Sequence, residues 1–226
     1  MGCGHCLANS TPEGSHVALE TYTRALDVAA ELGDPFVLLS GGEPTEHPRI
    51  VHLIRTALER FSFVAVLSNG MWTHSPEATA ELLASGAQWQ ITNDPRFYPL
   101  RLPEVELEDS RVTYTYQIPT LVRLGRWRGE SNRLGPACYN LRSAVRHHRS
   151  FVLGVLFLRS QHKFCTPSID IDGTIRAGES PECYPLGTIF DTDAHLTEAT
   201  LRHDCDRCGL HERLPAGFRE VLSNET

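Results

Sequence analysis

The segment that most constrains the fold is 36–48, Phe-Val-Leu-Leu-Ser-Gly-Gly-Glu-Pro-Thr-Glu-His-Pro. Its mostly apolar start predicts a buried strand. Gly41 and Gly42 let the backbone turn and leave room for a ligand against the main chain, and Glu43 adds a carboxylate. An apolar stripe over 48–61 predicts a helix. Ligands bind at the carboxyl ends of strands in parallel α/β proteins, so the turn is a candidate site. The alternative interpretation is a strand-to-helix connection without a ligand.

Predicted strands and helices alternate along the chain, which is typical of an α/β protein with a parallel sheet. The helix that begins at Ser75 has a strong start signal, because serine as N-cap is followed by proline and then an acidic residue. The short apolar run at 151–158 is interpreted as a buried strand. The predicted strands are 36–40, 62–68, 88–92, 112–117 and 151–158, and the predicted helices are 15–32, 48–61 and 75–86.

Composition excludes several classes of partner. The 226 residues carry a formal net charge of -7, which gives no general attraction to nucleic acid or to an anionic membrane. No apolar run is long enough to span a bilayer, and the N-terminus lacks a signal peptide pattern, so we expect a cytoplasmic protein. The seven cysteines include two C-x-x-C pairs, Cys3/Cys6 and Cys205/Cys208, which indicate metal or cluster ligation rather than disulfides.

Cysteines near the start of the chain, followed after the next strand by Gly-Gly-Glu-Pro, resemble the radical S-adenosylmethionine (SAM) enzymes. In that family a C-x-x-x-C-x-x-C loop holds three irons of a [4Fe–4S] cluster, and SAM binds the fourth. Cys3 and Cys6 match the last two cysteines, whereas the first would lie four residues before Cys3, upstream of Met1. We expect a mis-assigned start, and we expect the chain as given to hold this cluster poorly.

The resemblance implies a fold and a set of SAM contacts. The fold is a partial (β/α)6 barrel of the TIM type, which lacks its first strand in the chain as given. Gly41, Gly42 and Glu43 would receive the SAM ammonium through backbone and carboxylate acceptors. His5 precedes the last cysteine of the loop, where the family places a residue near the adenine; a spacer role is the alternative.

Polar residues that follow the next two strands are further candidates. Asn69 could line the site, or it could serve only the turn that it forms with Gly70. Asn93 and Asp94 follow the strand at 88–92, where the family commonly contacts the ribose hydroxyls. Their alternative role is an Asx turn before a proline.

Residues 161–226 contain four of the seven cysteines and resemble the extra cluster modules called SPASM and twitch domains. A predicted hairpin with its turn at Asp172-Gly173 separates Cys165 from Gly178, and four residues separate that glycine from Cys183. We therefore predict a partial-barrel domain at 1–160 and a small cysteine-rich extension at 161–226. Its four candidate ligands suit an auxiliary [4Fe–4S] cluster or a structural zinc ion: Cys165, Cys183, Cys205 and Cys208.

The resemblance implies an enzyme that cleaves SAM reductively and abstracts hydrogen from an unidentified peptide or small organic molecule. Such an enzyme needs an electron donor of the ferredoxin or flavodoxin type. A catalytically silent metal-binding relative is the main alternative. Cys-Gly-His-Cys at 3–6 also matches thiol–disulfide oxidoreductases, but no strand precedes it here.

Overall fold

The computed structural model describes most of the chain in two compact units. The first unit comprises Met1–Cys6, Ser10–Pro119 and Ile171–Gly173, and the second comprises Leu7–Asn9, Thr120–Asp170 and Thr174–Thr226. The predicted boundary between sequence modules at 160/161 stays a prediction. The described residues are 6, 8, 10–33, 36–96, 106–116, 137–160, 167–178 and 180–202.

The first unit contains a four-stranded parallel sheet, which confirms the α/β class. The strands stand in the order β1-β2-β3-β4, each paired in parallel with the next. Two short 3₁₀ helices, Pro44–Glu46 and Met71–His74, follow β1 and β2. The elements are α1 Leu19–Glu31, β1 Phe36–Leu39, α2 Ile50–Leu58, β2 Phe63–Ser68, α3 Pro76–Leu83, β3 Gln88–Thr92 and β4 Val112–Thr115.

Local signals in the sequence explain several of these boundaries. The Ser75 hydroxyl accepts a hydrogen bond from the Ala78 N–H at 3.2 Å and caps α3, as predicted. Gly86, with φ of 92°, ends the turn after that helix. The helix α1 begins later than predicted, at Leu19, and its N-cap Ala18 makes no side-chain hydrogen bond.

One face of the sheet packs against helices and the other is open. Val64, Val66, Trp89 and Ile91 are at most 1% exposed and form the core with apolar side chains of the helices. The alternating residues of β1 and β2 face the other way, and Phe36, Leu38 and Phe63 are 41%, 49% and 44% exposed. Within the described ranges β1 pairs only with β2, and the four strands form part of a sheet rather than a closed barrel.

In the second unit, a helix stands where a strand was predicted, and another helix precedes it. The helices are α4, Ala137–His148, and α5, Phe151–Ser160, so the prediction of a strand at 151–158 was wrong. The residues buried along α5 are Phe151, Gly154, Val155 and Leu158, which is the spacing of one helix face. A Cβ on Gly154 would lie 2.7 Å from Val145 Cγ2, so glycine there permits the close packing of α4 and α5.

The second unit also contains an antiparallel sheet of three short strands and a final helix. The strands are β5, Ser168–Ile169, β6, Thr174–Arg176, and β7, Pro185–Thr188, followed by the helix α6, Asp193–Arg202. The predicted hairpin is confirmed, since β5 pairs with β6 and the turn contains Gly173 with φ of 83°. The strand β7 was not predicted.

Across the described ranges, every helix is too short or too polar to traverse a lipid bilayer.

Candidate functional site

The two glycines after β1 are required for different reasons. Gly41 has φ of 142°, a conformation that disfavours other residues, and among the described residues beyond its chain neighbours a Cβ placed on it would meet no atom within 4 Å. A Cβ on Gly42 would lie 3.1 Å from Ser10 Cβ and 3.2 Å from Ser10 Oγ. The turn is therefore open beside Gly41 and closely packed beside Gly42.

Ser10 connects this turn with the cysteine loop. Its backbone N–H donates a hydrogen bond to Cys6 Sγ at 3.3 Å. The structure thus brings Cys6 beside the Gly41–Gly42 turn, with Ser10 between them. The two other predicted residues of the loop, Cys3 and His5, lie outside the described residues.

Glu43 joins the turn after β1 to the end of β2. Its Oε1 accepts hydrogen bonds from the Thr45 N–H at 3.2 Å, the Thr45 hydroxyl at 2.7 Å and the Ser68 hydroxyl at 2.9 Å. Its Oε2 accepts from the Asn69 N–H at 2.7 Å. Four donors from the protein surround this carboxylate.

Ser68 is a site residue that the sequence analysis missed. It is only 4% exposed, and its hydroxyl oxygen accepts hydrogen bonds from the Gly70 N–H and the Trp72 Nε1–H, both at 3.0 Å. Trp72 packs in turn on Trp89, with ring centroids 4.9 Å apart. The available signal was a polar residue that closes an apolar strand immediately before Asn-Gly.

Asn69, Asn93 and Asp94 follow strands β2 and β3. Asn69 Oδ1 accepts from the Met71 N–H at 2.8 Å, which is the turn contact considered from the sequence. Asp94 is fully buried. Its Oδ1 accepts hydrogen bonds from the Arg96 backbone N–H at 3.1 Å and from Arg96 Nε at 2.8 Å, so Asp94 forms an Asx turn and an ion pair. The Asn93 N–H donates to the Thr115 carbonyl at 2.8 Å. Ribose contacts by these residues stay a prediction.

These residues share one edge of the sheet. Since β1, β2 and β3 are adjacent and parallel, the turns that follow them lie side by side. The sheet places Gly41, Asn69 and Asn93 in that order along the edge, and Glu43 links the first two positions directly. This is the edge at which parallel sheets bind ligands.

Cys183 is the described member of the predicted C-terminal ligand set. It lies between β6 and β7, where its N–H donates to the Ser180 carbonyl at 2.8 Å and its own carbonyl accepts from Arg176 Nη1 at 3.1 Å. A Cβ on Gly178 would lie 2.9 Å from Cys183 Sγ, which explains why a glycine stands five positions before this cysteine.

The remaining predicted metal ligands fall outside the described residues. They are Cys3, Cys165, Cys205 and Cys208. Among the residues that the structure describes, no group of three or more His, Cys, Asp or Glu side chains is arranged to hold a metal ion.

Comparison with known proteins links the chain to one that depends on SAM. No family model matches. The chain is 31% identical over 91 residues to the AdoMet-dependent heme synthase of Methanosarcina barkeri (strain Fusaro / DSM 804), and AdoMet is SAM. The aligned region is 39% of this chain and 26% of the relative, so the chain spans about a quarter of the relative's length. The similarity supports the interpretation of the chain as a radical SAM protein.

Proposed function

We propose that this protein is a radical SAM enzyme. The observation that carries the proposal is the placement of Cys6 next to the Gly41–Gly42 turn, with Ser10 between them. The similarity to an AdoMet-dependent enzyme supports it independently. The four parallel strands would then belong to a partial (β/α)6 barrel, with the site at the carboxyl ends of its strands.

The residues present fit the cofactors that this proposal requires. Cys3 and Cys6 would supply thiolates to a [4Fe–4S] cluster, and the Cys6 sulfur lies within hydrogen-bond distance of the Ser10 N–H. Among the residues that the structure describes, no atom fills the space beside Gly41, which supports contact between the main chain there and the amino acid portion of SAM. When bound and reduced, the cluster would supply one electron for the cleavage of SAM to methionine and a 5′-deoxyadenosyl radical, which would abstract hydrogen from the substrate.

The remaining parts of the proposal concern the C-terminal residues and the partners. An auxiliary [4Fe–4S] cluster or a zinc ion would be held by Cys165, Cys183, Cys205 and Cys208. The close packing of Gly178 on Cys183 supports this role, because it restricts where the Cys183 sulfur can lie. The substrate would be a peptide or a small organic molecule. A ferredoxin or flavodoxin would supply electrons.

Anaerobic reconstitution tests the proposed function. The chain, and a version extended to carry a cysteine four residues before Cys3, would be loaded with iron and sulfide and incubated with dithionite and SAM. We expect the extended version to form 5′-deoxyadenosine and its Cys6→Ala variant to form none. Metal analysis of the Cys6→Ala variant as isolated, before iron and sulfide are added, would distinguish iron from zinc at the C-terminal cysteines.

Absence of 5′-deoxyadenosine from both parent proteins, despite bound iron and sulfide, would overturn the proposal. It would leave a metal-binding protein that does not cleave SAM.

A further inference from the structure

We propose that Asn69 is a site of spontaneous deamidation, and that Ser68 controls its rate by holding the Gly70 N–H. Asn69 and Gly70 form the turn after β2, beside the Gly41 turn on the same edge of the sheet. Asparagine is a thermolabile residue, and a following glycine has no Cβ to obstruct attack by its own backbone nitrogen. The reaction involves only the chain's own atoms and water, so it is independent of the cofactors proposed above.

The reaction has two steps, and the Gly70 nitrogen must lose its hydrogen in the first. The nitrogen attacks Asn69 Cγ, the Cγ–Nδ2 bond breaks, and ammonia leaves with the proton that the nitrogen gives up. Water then opens the resulting succinimide ring at one of its two carbonyls, which leaves either aspartate or isoaspartate at position 69. Because the ring nitrogen carries no hydrogen, any hydrogen bond that the Gly70 N–H donates must break before the ring can close.

The structure restrains this attacking nitrogen. The Gly70 N–H donates a hydrogen bond to Ser68 Oγ at 3.0 Å, and both residues are buried. Trp72 Nε1–H donates to the same oxygen at 3.0 Å, and its ring packs in the core against Trp89, which fixes the acceptor in place. Release of the Gly70 N–H therefore costs the free energy of a buried hydrogen bond.

The carbon under attack is, in contrast, activated. Asn69 Oδ1 accepts the Met71 N–H at 2.8 Å, and a donor on this oxygen stabilises the negative charge that the oxygen gains when the nitrogen attacks. The Asn69 backbone N–H donates to Glu43 Oε2 at 2.7 Å, which holds the residue on its other side. Asn69 is only half-buried, so water can reach the ring. With the carbonyl already polarised, release of the Gly70 N–H from Ser68 is the step that sets the rate.

Deamidation would damage this edge of the sheet. Aspartate at position 69 places a second negative charge on the residue that donates to Glu43, and like charges in proximity are unfavourable. Isoaspartate lengthens the main chain before Gly70 by one carbon atom, which displaces the Gly70 N–H from Ser68 Oγ. Ser68 therefore protects the turn that lies beside the candidate site.

The test measures the deamidation rate of the full chain without cofactors, at mildly alkaline pH and well below the unfolding midpoint. Mass spectrometry of the peptide that contains Asn69, together with its isoaspartate content, gives the rate at this one position. We expect the folded parent to react about tenfold more slowly than the same chain unfolded in urea, and folded Ser68→Ala about tenfold faster than the folded parent. Ser68→Thr keeps the hydroxyl acceptor and should retain the rate of the parent.

Two further variants separate loss of this hydrogen bond from loss of stability. Leu82→Ala removes a buried side chain from α3 in the same unit, so it should lower the unfolding midpoint and leave the rate at Asn69 unchanged. Ser68→Cys keeps a side chain of similar shape with a weaker acceptor, so it should raise the rate by less than Ser68→Ala. It serves as the measured variant if Ser68→Ala does not fold at the assay temperature.

Three results would overturn the proposal. Equal rates for the folded and the unfolded parent would show that the turn does not protect Asn69. Parent rates in the folded Ser68→Ala and Ser68→Cys variants would show that Ser68 does not control the reaction. An equal rise in Leu82→Ala and in the Ser68 variants would show that the rate follows a general loss of stability.

Discussion

At the scale of single residues, the adjacent glycines Gly41 and Gly42 are favoured for different physical reasons. Gly41 is required by its backbone conformation and Gly42 by the contact that a Cβ would make with Ser10. From the sequence, a glycine indicates either a turn or the close approach of another atom to the backbone. The structure shows which of the two causes applies to each glycine. That separation makes the contact between the cysteine loop and the turn testable by substitution.

Gly42→Ala should destabilise the protein by about 1 kcal/mol, because the Ser10 side chain must shift by a few tenths of an ångström to admit the added methyl group. Adding Ser10→Gly removes the opposing Cβ and should recover most of that loss, while the backbone N–H that reaches Cys6 is kept. Urea unfolding would measure both free energies of unfolding.

Gly41→Ala is the matched control for this pair. Its cost comes from the left-handed backbone at φ of 142°, so Ser10→Gly should not recover it. Equal recovery of both alanine variants would contradict a specific contact between Gly42 and Ser10.

The His47 imidazole should make stability depend on pH. Its Nδ1 accepts the Arg49 N–H at 3.0 Å and must therefore be unprotonated, and its Nε2 lies 3.5 Å from the Val17 carbonyl. Burial, together with the nearby His16 and Arg49 charges, lowers the pKa of His47 below its usual value near 6.5. The unfolded chain thus binds a proton on this imidazole more readily than the folded protein does. The contribution of neutral His47 to folding stability is therefore complete above about pH 6.5 and is lost as the pH falls.

This dependence can be measured from thermal unfolding midpoints between pH 8 and pH 5. His47→Asn keeps an acceptor for Arg49 and should weaken the decline at low pH. His52→Asn changes an exposed histidine of α2 and should leave the decline as it is in the parent. A His47→Asn profile identical to that of the parent would show that other groups cause the pH dependence.

At the scale of elements, the apolar run after Ser150 shows how a neighbouring helix influences secondary structure. A run of eight such residues suits a buried strand or a buried helix, and periodicity alone does not choose. In the structure, the first N–H groups of α5 all find acceptors. Phe151 donates to Thr197 Oγ1 at 2.8 Å, Val152 to Asp193 Oδ1 at 2.8 Å and Leu153 to the Ser150 hydroxyl at 3.1 Å. Two of these acceptors belong to α6, far along the chain.

Asp193→Ala should therefore destabilise the protein by about 1–2 kcal/mol, because it removes an acidic acceptor from the N-terminus of α5. Asp193→Asn keeps an oxygen acceptor and should cost less. The matched control is Glu198→Ala, whose exposed pairing with Arg202 on the same helix contributes little. Urea unfolding would rank the three variants, and a Glu198→Ala loss as large as that of Asp193→Ala would contradict the capping role.

At the scale of the whole molecule, the parallel sheet was predictable from the sequence. The contacts at the ends of its strands were predictable only in part. Apolar runs bounded by glycine, proline or asparagine predicted the strands β1 to β3 within a few residues, and the alternating pattern rich in β-formers predicted β4. The cysteine motif predicted Cys6 as a site residue, which stays a prediction; in the structure Ser10 contacts Cys6 and lies beside Gly42. The same analysis missed Ser68 and β7, whose partners lie elsewhere in the chain.

The sequence by itself determined the α/β class, the turn at Gly41–Glu43, the cap of α3 and the hairpin at Gly173, since these depend on neighbouring residues and on backbone preferences. Only the tertiary structure decided that 151–158 is helical and that Glu43 accepts hydrogen bonds from Ser68, at the end of β2, and from Asn69, just after it. The physical reason is that buried donors and acceptors must be paired, and the pairs are known only once distant segments meet.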